Sequence, residues 1–297
     1  MDELIAISKT TSIDLMLDIK KMTGLIGAEV FGLDLTRSIA DTVAQELRNA
    51  LAEHQMIVLR QQNLSISDQK RLTAFFGPAM RLPYVKPTSD DPEVIAVLKE
   101  AHETNTDVFG GEWHSDFSFL ENPPAGSVLS AVEVPEVGGD TVWASQVAAL
   151  NSLPEDLRKF VDGRKAVHVG APYGVKHAPP TEAQANSSIH MTRGDPEADR
   201  EILHPAVVTD PASGRQALFL NPIYTTRFEN MSEEESRPIL DALFKHATRP
   251  DFSCRLRWQA GDVAIWDNRM TLHYATNDYD GVRRLLYRTT YSGFPPS

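Results

Sequence analysis

The chain has 297 residues, 41% hydrophobic and 24% charged, which is typical of a globular protein with a sizeable core. Its net charge of −12 disfavours nucleic acid and anionic membranes as partners, because both attract positively charged surfaces. A single cysteine, Cys254, excludes an intramolecular disulfide and a multi-cysteine zinc site, and no apolar run approaches the ~20 residues that span a bilayer. With no signal-peptide pattern at the start, we expect a cytoplasmic protein and a buried, inert thiol.

The first part of the chain predicts a scaffold of short strands and helices. Residues 23–35 alternate apolar residues with glycines, which indicates a hairpin-like pair of short strands. Asp41 is placed as the N-cap of a helix that leads to a strand over residues 56–60. Ser65 or Ser67 can cap a second helix.

The remainder of the chain consists mostly of short strand-like runs between turns rich in Gly, Pro and Asp. These runs cover residues 94–98, 127–134, 142–145, 166–169, 204–209, 217–220, 223–228, 255–258, 263–266, 270–274 and 284–291. Helical periodicity is confined to residues 148–160 and 233–248, while residues 170–200 are a long polar loop, either a lid or a surface excursion. The pattern predicts a mainly β jelly roll with flanking helices, as one domain over residues 1–297.

One stretch, residues 111–117, carries the strongest chemical signal. Its aromatic residues favour a strand, in which positions i and i+2 point to the same face, so His114 and Asp116 would project side by side. An imidazole and a carboxylate on one face can occupy two adjacent positions on a metal ion. A second histidine would complete the two-histidine, one-carboxylate set that holds non-haem Fe(II).

Several of the nine histidines could supply that third ligand. His168 and His204 lie in strand-like runs, where a buried, hydrogen-bonded imidazole is the simpler interpretation. Solvent-facing polarity or a loop position accounts for five others, which are His54, His102, His177, His190 and His246. His273 differs because a turn and an arginine-containing strand follow it closely.

The arginines behind His273 suggest anionic ligands. We expect the Asp280-Gly281 turn to fold the Arg284 strand back beside the His273 strand. Arg284 and Arg288 would then share one face, separated by about 13 Å at the usual strand rise, while Arg283 faces the other way. Guanidinium groups grip carboxylates in bidentate fashion, so two inward arginines imply two anions or one long one; a pair of structural salt bridges is the alternative.

With these residues in place, the chain resembles the Fe(II)- and 2-oxoglutarate-dependent dioxygenases typified by taurine dioxygenase and 2,4-dichlorophenoxyacetate dioxygenase. The similar pieces are Gly27-Ala28-Glu29 with Gly32 and Asp34, Phe76-Gly77-Pro78, Trp113-His114-Ser115-Asp116, Pro123-Pro124, Gly138-Gly139-Asp140-Thr141, His204-Pro205 and residues 266–288. The resemblance implies a double-stranded β-helix, which is a cupin-like jelly roll, and a homo-oligomer. It implies iron ligands at His114, Asp116 and His273, contacts to the distal carboxylate of 2-oxoglutarate from Thr141 and Arg284, and a substrate-anion contact from Arg288.

The same resemblance implies the reaction: O2 and 2-oxoglutarate are consumed, a small organic anion is hydroxylated, and succinate and CO2 are released. Hydroxylation beside a heteroatom gives a product that breaks apart. Taurine-specific members carry polar residues where this chain has residues 80–84 and 109–112, so we expect a larger anion such as an aryloxyalkanoate, an alkyl sulfate or a sulfonate. The apolar walls of the substrate pocket are predicted to be Leu82, Tyr84, Val85, Val108 and Phe109.

Two other classes of protein fit part of this pattern. A metal-dependent hydrolase could use the same two histidines and carboxylate to hold Zn²⁺ and an activated water, although Thr141 and Arg284 would then have no role. A non-catalytic barrel that binds a small anion is the second alternative. Oxygen uptake with succinate formation, dependent on Fe(II) and 2-oxoglutarate, separates the three.

Overall fold

The computed structural model describes residues 17–88, 90–104, 108–176, 187–293 and 295–297. Within these ranges the chain forms short strands and a few helices. The strands are β1 Asp18–Lys21, β2 Ala28–Phe31, β3 Met56–Leu59, β4 Val94–Lys99, β5 Gly126–Glu133, β6 Thr141–Ser145, β7 Lys165–His168, β8 Ile202–Pro205, β9 Val207–Thr209, β10 Gln216–Leu218, β11 Thr225–Phe228, β12 Ser253–Leu256, β13 Val263–Asp267, β14 Thr271–Ala275 and β15 Arg284–Tyr291. The α-helices are α1 Asp41–His54, α2 Ile66–Ala74, α3 Gln146–Asn151, α4 Glu155–Val161 and α5 Glu233–Ala247.

Two sheets form the barrel, and the predicted jelly roll is confirmed. The large sheet has the strand order β1-β2-β3-β13-β5-β15-β4, and the small sheet has the order β12-β6-β14. Leu129, Trp266 and Leu286 of the large sheet pack in one buried cluster with Trp143 and Leu256 of the small sheet. The smaller sheets β11-β7-β8 and β9-β10 complete the strand pairing. In the described ranges, no helix combines the length and apolar character needed to cross a membrane.

The large sheet is buried on both faces because helices cover its outer side. In β3, Ile57 and Leu59 join an outer cluster with Leu47 of α1 and Leu72 of α2, whereas the alternate residue Val58 points into the barrel. This period-2 division explains why β3 reads as a continuous apolar run. The outer helices therefore hold the sheet that carries Arg284 and Arg288.

The helix boundaries follow local signals with two corrections. Ser65 caps α2 in a capping box, as predicted. Asp41 is the first helical residue and not the N-cap, which is Ala40; a carboxylate in the first turn still favours the helix dipole. The predicted helix over residues 148–160 is two helices, because Pro154 lacks an N–H and becomes the N-cap of α4.

Three strand predictions also need correction. The first strand of the N-terminal hairpin precedes the expected range, at Asp18–Lys21. The run 204–209 is divided between β8 and β9, which pair with different strands. The strands of His273 and Arg284 are not a hairpin: β14 pairs with β6, whereas β15 pairs with β4 and β5. The connection over residues 276–283 is far longer than a two-residue hairpin loop, and it carries the chain from the small sheet to the large one.

Candidate active site

His114, Asp116 and His273 meet inside the barrel, as the sequence predicts. All three are buried, and each offers one ligand atom within 4.8 Å of the others. Asp116 Oδ1 lies 3.4 Å from Nε2 of His114 and 3.7 Å from Nε2 of His273. In the part of the chain that the structure describes, this is the one cluster of three or more such groups that could hold a metal ion.

The backbone around His114 and Asp116 differs from the predicted strand. His114 forms an isolated antiparallel bridge with His273, through N–H to O contacts of 3.0 and 2.9 Å. Asp116 starts a turn, and Phe117 adopts a left-handed conformation with φ of 47°. The two side chains converge because the chain turns sharply after a single bridge, so the predicted proximity is right and its stated cause is wrong.

Asn268 holds that turn in place. Its side-chain Oδ1 accepts from the backbone N–H of Asp116 at 2.7 Å, and its Nδ2 donates to the carbonyl of Asp116 at 2.9 Å and to that of Pro124 at 3.0 Å. Ser115 Oγ donates to the carbonyl of Asn268 at 2.6 Å. Asn268 is fully buried. The sequence did not predict this role for Asn268, because its contact with Asp116 joins residues that are 152 positions apart in the chain.

The protonation states suit a divalent metal ion. Burial raises the pKa of Asp116, but Arg288 and the histidines outweigh it, so the pKa lies well below its usual range and the carboxylate is ionised. Burial and the nearby His114 lower the pKa of His273 well below its ordinary value, which keeps the imidazole neutral. Nδ1 of His114 lies 2.7 Å from the carbonyl of Glu112, to which it can donate, leaving Nε2 as the ligand atom. The donor set therefore fits Fe(II).

A small inner cavity of about 40 Å³ adjoins His114 and His273, and it is lined by Thr141, Arg284 and Arg288. Arg284 is buried; its Nε donates to the carbonyl of Gly139 at 3.0 Å, while its Nη2 has no hydrogen-bond partner in the described ranges. Thr141 Oγ accepts from Trp258 Nε1 at 2.9 Å, which leaves the hydroxyl proton available to an acceptor in the cavity. An unpaired buried guanidinium donor beside a free hydroxyl proton fits a carboxylate.

Arg288 shares the buried face of β15 with Arg284, whereas Arg283 points outward to Glu100 and Glu133. This division agrees with the predicted alternation. Nη2 of Arg288 contacts Oδ2 of Asp116 at 2.5 Å and donates to Ser127 Oγ at 3.0 Å. Its Nε is buried without a hydrogen-bond partner among the described residues. Arg288 therefore contacts the one carboxylate of the His114, Asp116 and His273 group, and it borders the inner cavity.

An outer cavity of about 390 Å³ reaches His114 and Asp116 from the other side. Of the predicted walls, Val108 and Phe109 line it. Leu82, Tyr84 and Val85 do not, and lie in the apolar cluster behind it. There Tyr84 stacks on Tyr173 at 5.0 Å between ring centroids, and the backbone of Val85 forms an isolated bridge with Met191, so both residues lie behind residues that line the cavity.

The sequence interpretation missed the residues that fill their place. Pro172, Tyr173, Met191 and Arg193 come from the long polar loop, and Ile223 and Tyr224 precede β11. The described parts of the loop, 170–176 and 187–200, thus border the outer cavity. Residues 177–186, which include His177, lie outside the described residues. The length of the loop was the one feature of the sequence that indicated a functional role for it. Its side chains could not be placed, because irregular backbone has no periodicity.

The interpretations of His168, His204 and Cys254 hold, whereas His54, expected to face solvent or lie in a loop, is buried at the end of α1. His168 is fully buried and bonds Ser118 Oγ through Nδ1 at 2.9 Å, and His204 Nε2 lies 2.9 Å from the carbonyl of Leu120. Both are hydrogen-bonded core residues in the described structure. Burial raises the pKa of Cys254 to about 12, which keeps that thiol protonated and inert.

Comparison with known proteins agrees with this geometry. The family described as taurine catabolism dioxygenase TauD, TfdA family matches residues 18–290. An alkylsulfatase of Acinetobacter baylyi is 33% identical over 279 residues, covering 93% of this chain and 85% of that protein. An alpha-ketoglutarate-dependent sulfate ester dioxygenase of Pseudomonas putida is 35% identical over 283 residues, covering 95% and 91%. A solved taurine dioxygenase from Burkholderia xenovorans, 31% identical, superposes with a TM-score of 0.77 over 95% of this chain and 92% of its own.

Proposed function

Because the chain belongs to the taurine catabolism dioxygenase TauD, TfdA family, we propose that its substrate is the sulfate ester of an alkyl alcohol. As a member, it is an Fe(II)- and 2-oxoglutarate-dependent dioxygenase that acts on organic anions. The metal-dependent hydrolase and the non-catalytic barrel are therefore set aside. The observation that carries the proposal is the outer cavity, whose apolar and aromatic walls lead to the buried His114, Asp116 and His273.

The roles of the site residues follow from their contacts. We assign Fe(II) to Nε2 of His114, Oδ1 of Asp116 and Nε2 of His273. Arg284 and Thr141 bind the distal carboxylate of 2-oxoglutarate, which supplies acceptors for the unpaired Nη2 and the free hydroxyl proton. Arg288 keeps the carboxylate of Asp116 oriented, and its unpaired Nε–H is available to the anionic group of the substrate at the metal side of the inner cavity. When bound, Fe(II) and 2-oxoglutarate together supply the activation of O2 that side chains cannot perform.

The proposed overall reaction balances without a further reductant. One atom of O2 enters succinate as 2-oxoglutarate loses CO2, and the other becomes a hydroxyl group on the carbon that bears the sulfate oxygen. The hydroxylated product then loses sulfate, as its C–O bond to the sulfate group breaks and a proton leaves the new hydroxyl group to give an aldehyde. The chain contributes binding, orientation and exclusion of water around the reacting carbon.

The apolar walls favour an alkyl or aryl body over a compact zwitterion. Phe109, Phe117, Tyr173 and Ile223 all line the outer cavity. Covering ~100 Å² of apolar ligand surface at about 25 cal/mol per Å² contributes roughly 2.5 kcal/mol, or about 60-fold in affinity. Taurine lacks this surface and would also lose hydration of its ammonium group.

Substrate-stimulated succinate release tests this proposal. A medium-chain alkyl sulfate, an aryloxypropionate and taurine are compared at matched concentrations with Fe(II), 2-oxoglutarate and O2. We expect the alkyl sulfate to be best, with equal amounts of succinate, sulfate and aldehyde. Taurine as the best of the three would contradict the proposed substrate, and succinate formation that does not require Fe(II) would contradict the metal assignment.

We also propose that residues 1–297 form one domain of a cytoplasmic homo-oligomer without nucleic-acid or membrane partners. The net charge of −12 supports the absence of polyanionic partners, and an intracellular reducing environment would keep iron in the Fe(II) state. Size-exclusion chromatography with light scattering tests the oligomeric state, and a purely monomeric protein at micromolar concentration would contradict that part.

A further inference from the structure

Two tyrosine hydroxyl groups belong to the outer cavity, and the roles assigned above do not use them. Tyr173 and Tyr224 line that cavity together with His114 and Asp116, and both tyrosines are buried. A buried hydroxyl group is costly unless it forms a hydrogen bond. The partners of these two hydroxyls therefore bear on which ligand the cavity accepts.

Aromatic packing holds both rings against the segment that carries Asp116. The ring of Tyr173 is nearly parallel to that of Phe117, with 5.6 Å between centroids, and Phe117 directly follows Asp116 in the chain. The ring of Tyr224 lies 4.9 Å from that of Phe119 by the same measure. Both tyrosines are thus fixed beside the proposed metal site.

Both hydroxyls are protonated at neutral pH and lie among the charges of the site. Burial raises the pKa of Tyr173, and it raises the pKa of Tyr224 well above the usual value. The carboxylate of Asp116 adds to both increases, whereas the guanidinium of Arg288 lowers both pKa values. The two hydroxyls are therefore neutral donors within electrostatic reach of Asp116 and Arg288.

One proton of this pair is left for a ligand. The hydroxyls share a hydrogen bond, which lowers the pKa of Tyr173 and raises that of Tyr224, so Tyr224 donates and Tyr173 accepts. Each hydroxyl has a single proton, so the proton of Tyr173 remains for another acceptor. The part of the chain that the structure describes provides no protein acceptor for it.

The outer and inner cavities adjoin each other at the proposed metal site. Phe109, Gly110 and His114 line both of them, and Arg288 lines the inner one. An anionic group held by the Nε–H of Arg288 would thus lie on the side of the outer cavity where the two hydroxyls are. A sulfate or sulfonate group has several oxygens, so it can accept from the guanidinium and from a hydroxyl at the same time.

We propose, resting on the function proposed above, that the hydroxyl of Tyr173 donates a hydrogen bond to an oxygen of the substrate's anionic group, while Tyr224 orients that hydroxyl. Arg288 supplies the positive charge, and Tyr173 supplies a neutral donor from the outer cavity. Two donors from different directions fix the anionic group, and with it the neighbouring carbon, beside His114 and Asp116. Tyr173 is thus a substrate-binding residue and Tyr224 is a positioning residue.

Calorimetric titration of phenylalanine variants tests this assignment. Protein loaded with Mn(II) and 2-oxoglutarate is titrated with a medium-chain alkyl sulfate, the matching sulfonate and an aryloxypropionate, and variants are compared on the anion that wild type binds best. The double variant, Tyr173→Phe with Tyr224→Phe, keeps both rings and loses both protons. It should bind that anion about 10- to 100-fold more weakly, the usual effect of losing a hydrogen bond to a charged group. Tyr224→Phe alone should lose less, because the proton of Tyr173 remains.

Tyr84→Phe is the matched control, because it removes a hydroxyl from the same aromatic cluster. Tyr84 stacks on Tyr173 and does not line the outer cavity, so this variant should bind the anion as wild type does. The affinities for Mn(II) and 2-oxoglutarate should be those of wild type in every variant. A double variant that binds the anion as tightly as wild type, or that loses Mn(II) affinity to the same extent, would overturn the inference alone. A wild-type protein that binds none of the three anions would overturn both proposals.

Discussion

The buried guanidinium of Arg284 has one donor that the described protein leaves unsatisfied. Its Nη2 lacks a hydrogen-bond partner in the described structure, although leaving a buried donor unpaired costs about 1–3 kcal/mol. The neighbouring Arg283 has the opposite environment, since it pairs with Glu100 and Glu133 outside the barrel. These adjacent residues therefore provide a matched pair of variants.

Arg284→Gln should raise the KM for 2-oxoglutarate about 10- to 100-fold, because a charge-assisted contact to the distal carboxylate is lost. Steady-state succinate release at varied 2-oxoglutarate measures it. Arg283→Gln, which removes the same charge one residue away, should leave that KM unchanged. Equal effects of the two substitutions would contradict the assignment.

Because His168 is buried, the free energy of unfolding should depend on pH in the acidic range. Burial, followed by the nearby His204, lowers the pKa of His168 to about 3 in the folded protein, below its unfolded value near 6.5. The unfolded chain therefore binds more protons between these pH values, and stability is lost as the pH falls through this window. This one group contributes a slope of at most about 1.4 kcal/mol per pH unit.

Urea unfolding at pH 7, 6 and 5 measures that slope. His168→Gln should lose less free energy of unfolding than wild type between pH 7 and 5, even though it starts from a lower stability. His102→Gln removes an exposed histidine and is the control. Parallel profiles for wild type and His168→Gln would show that His168 does not carry the effect.

At the scale of elements, the turn between β13 and β14 positions Asp116, a proposed metal ligand from another part of the chain. Asn268 lies in this turn and bonds both backbone groups of Asp116. Groups that orient a metal ligand typically change metal affinity 10- to 100-fold when they are removed. The turn therefore supports the proposed metal site without supplying a ligand.

Asn268→Ala should weaken Mn(II) binding about 10- to 100-fold in calorimetric titrations, because the backbone of Asp116 loses two hydrogen bonds and the carbonyl of Pro124 loses a third. Asn151→Ala, at the exposed end of α3, should not change it. If a folded Asn268→Ala protein bound Mn(II) as tightly as wild type, the positioning role would be wrong.

Element positions were predictable where sequence periodicity or a cap determined them, as for α2 with its Ser65 cap or the inward alternation of Arg284 and Arg288 along β15. The pairing partners of the strands could not be predicted, because hydrogen bonding between strands depends on which sheet each strand joins. The supposed hairpin of β14 and β15 failed for that reason. The walls of the outer cavity were missed because irregular loops place side chains such as Tyr173 by tertiary contacts alone.

At the scale of the whole molecule, the site joins two sheets. His273 belongs to β14 of the small sheet, while Arg284 and Arg288 belong to β15 of the large sheet. In the roles proposed above, 2-oxoglutarate would be held by the metal ion at His273 and by Thr141 of the small sheet, and by Arg284 of the large sheet. Ligand binding should therefore couple the two halves of the barrel.

Thermal unfolding with Mn(II), 2-oxoglutarate or both measures this coupling. Each ligand at 100 times its Kd stabilises the fold by about 2.7 kcal/mol, and the pair should raise Tm by more than the sum of the separate shifts. Arg284→Gln should keep the shift with Mn(II) and lose the excess. Strictly additive shifts in wild type would contradict the bridging arrangement.

The order in which the protein assembles follows from the separation of the site residues along the chain. Ser115 bonds Asn268 across 153 residues, and Arg284 bonds Gly139 across 145. Contacts between such distant segments close late and slowly, because much chain entropy must be lost first. We therefore expect the metal site to form only once the barrel has assembled. Refolding followed by tryptophan fluorescence should proceed at the same rate with or without Mn(II), with metal capture as a separate later phase; faster refolding with Mn(II) would contradict this order.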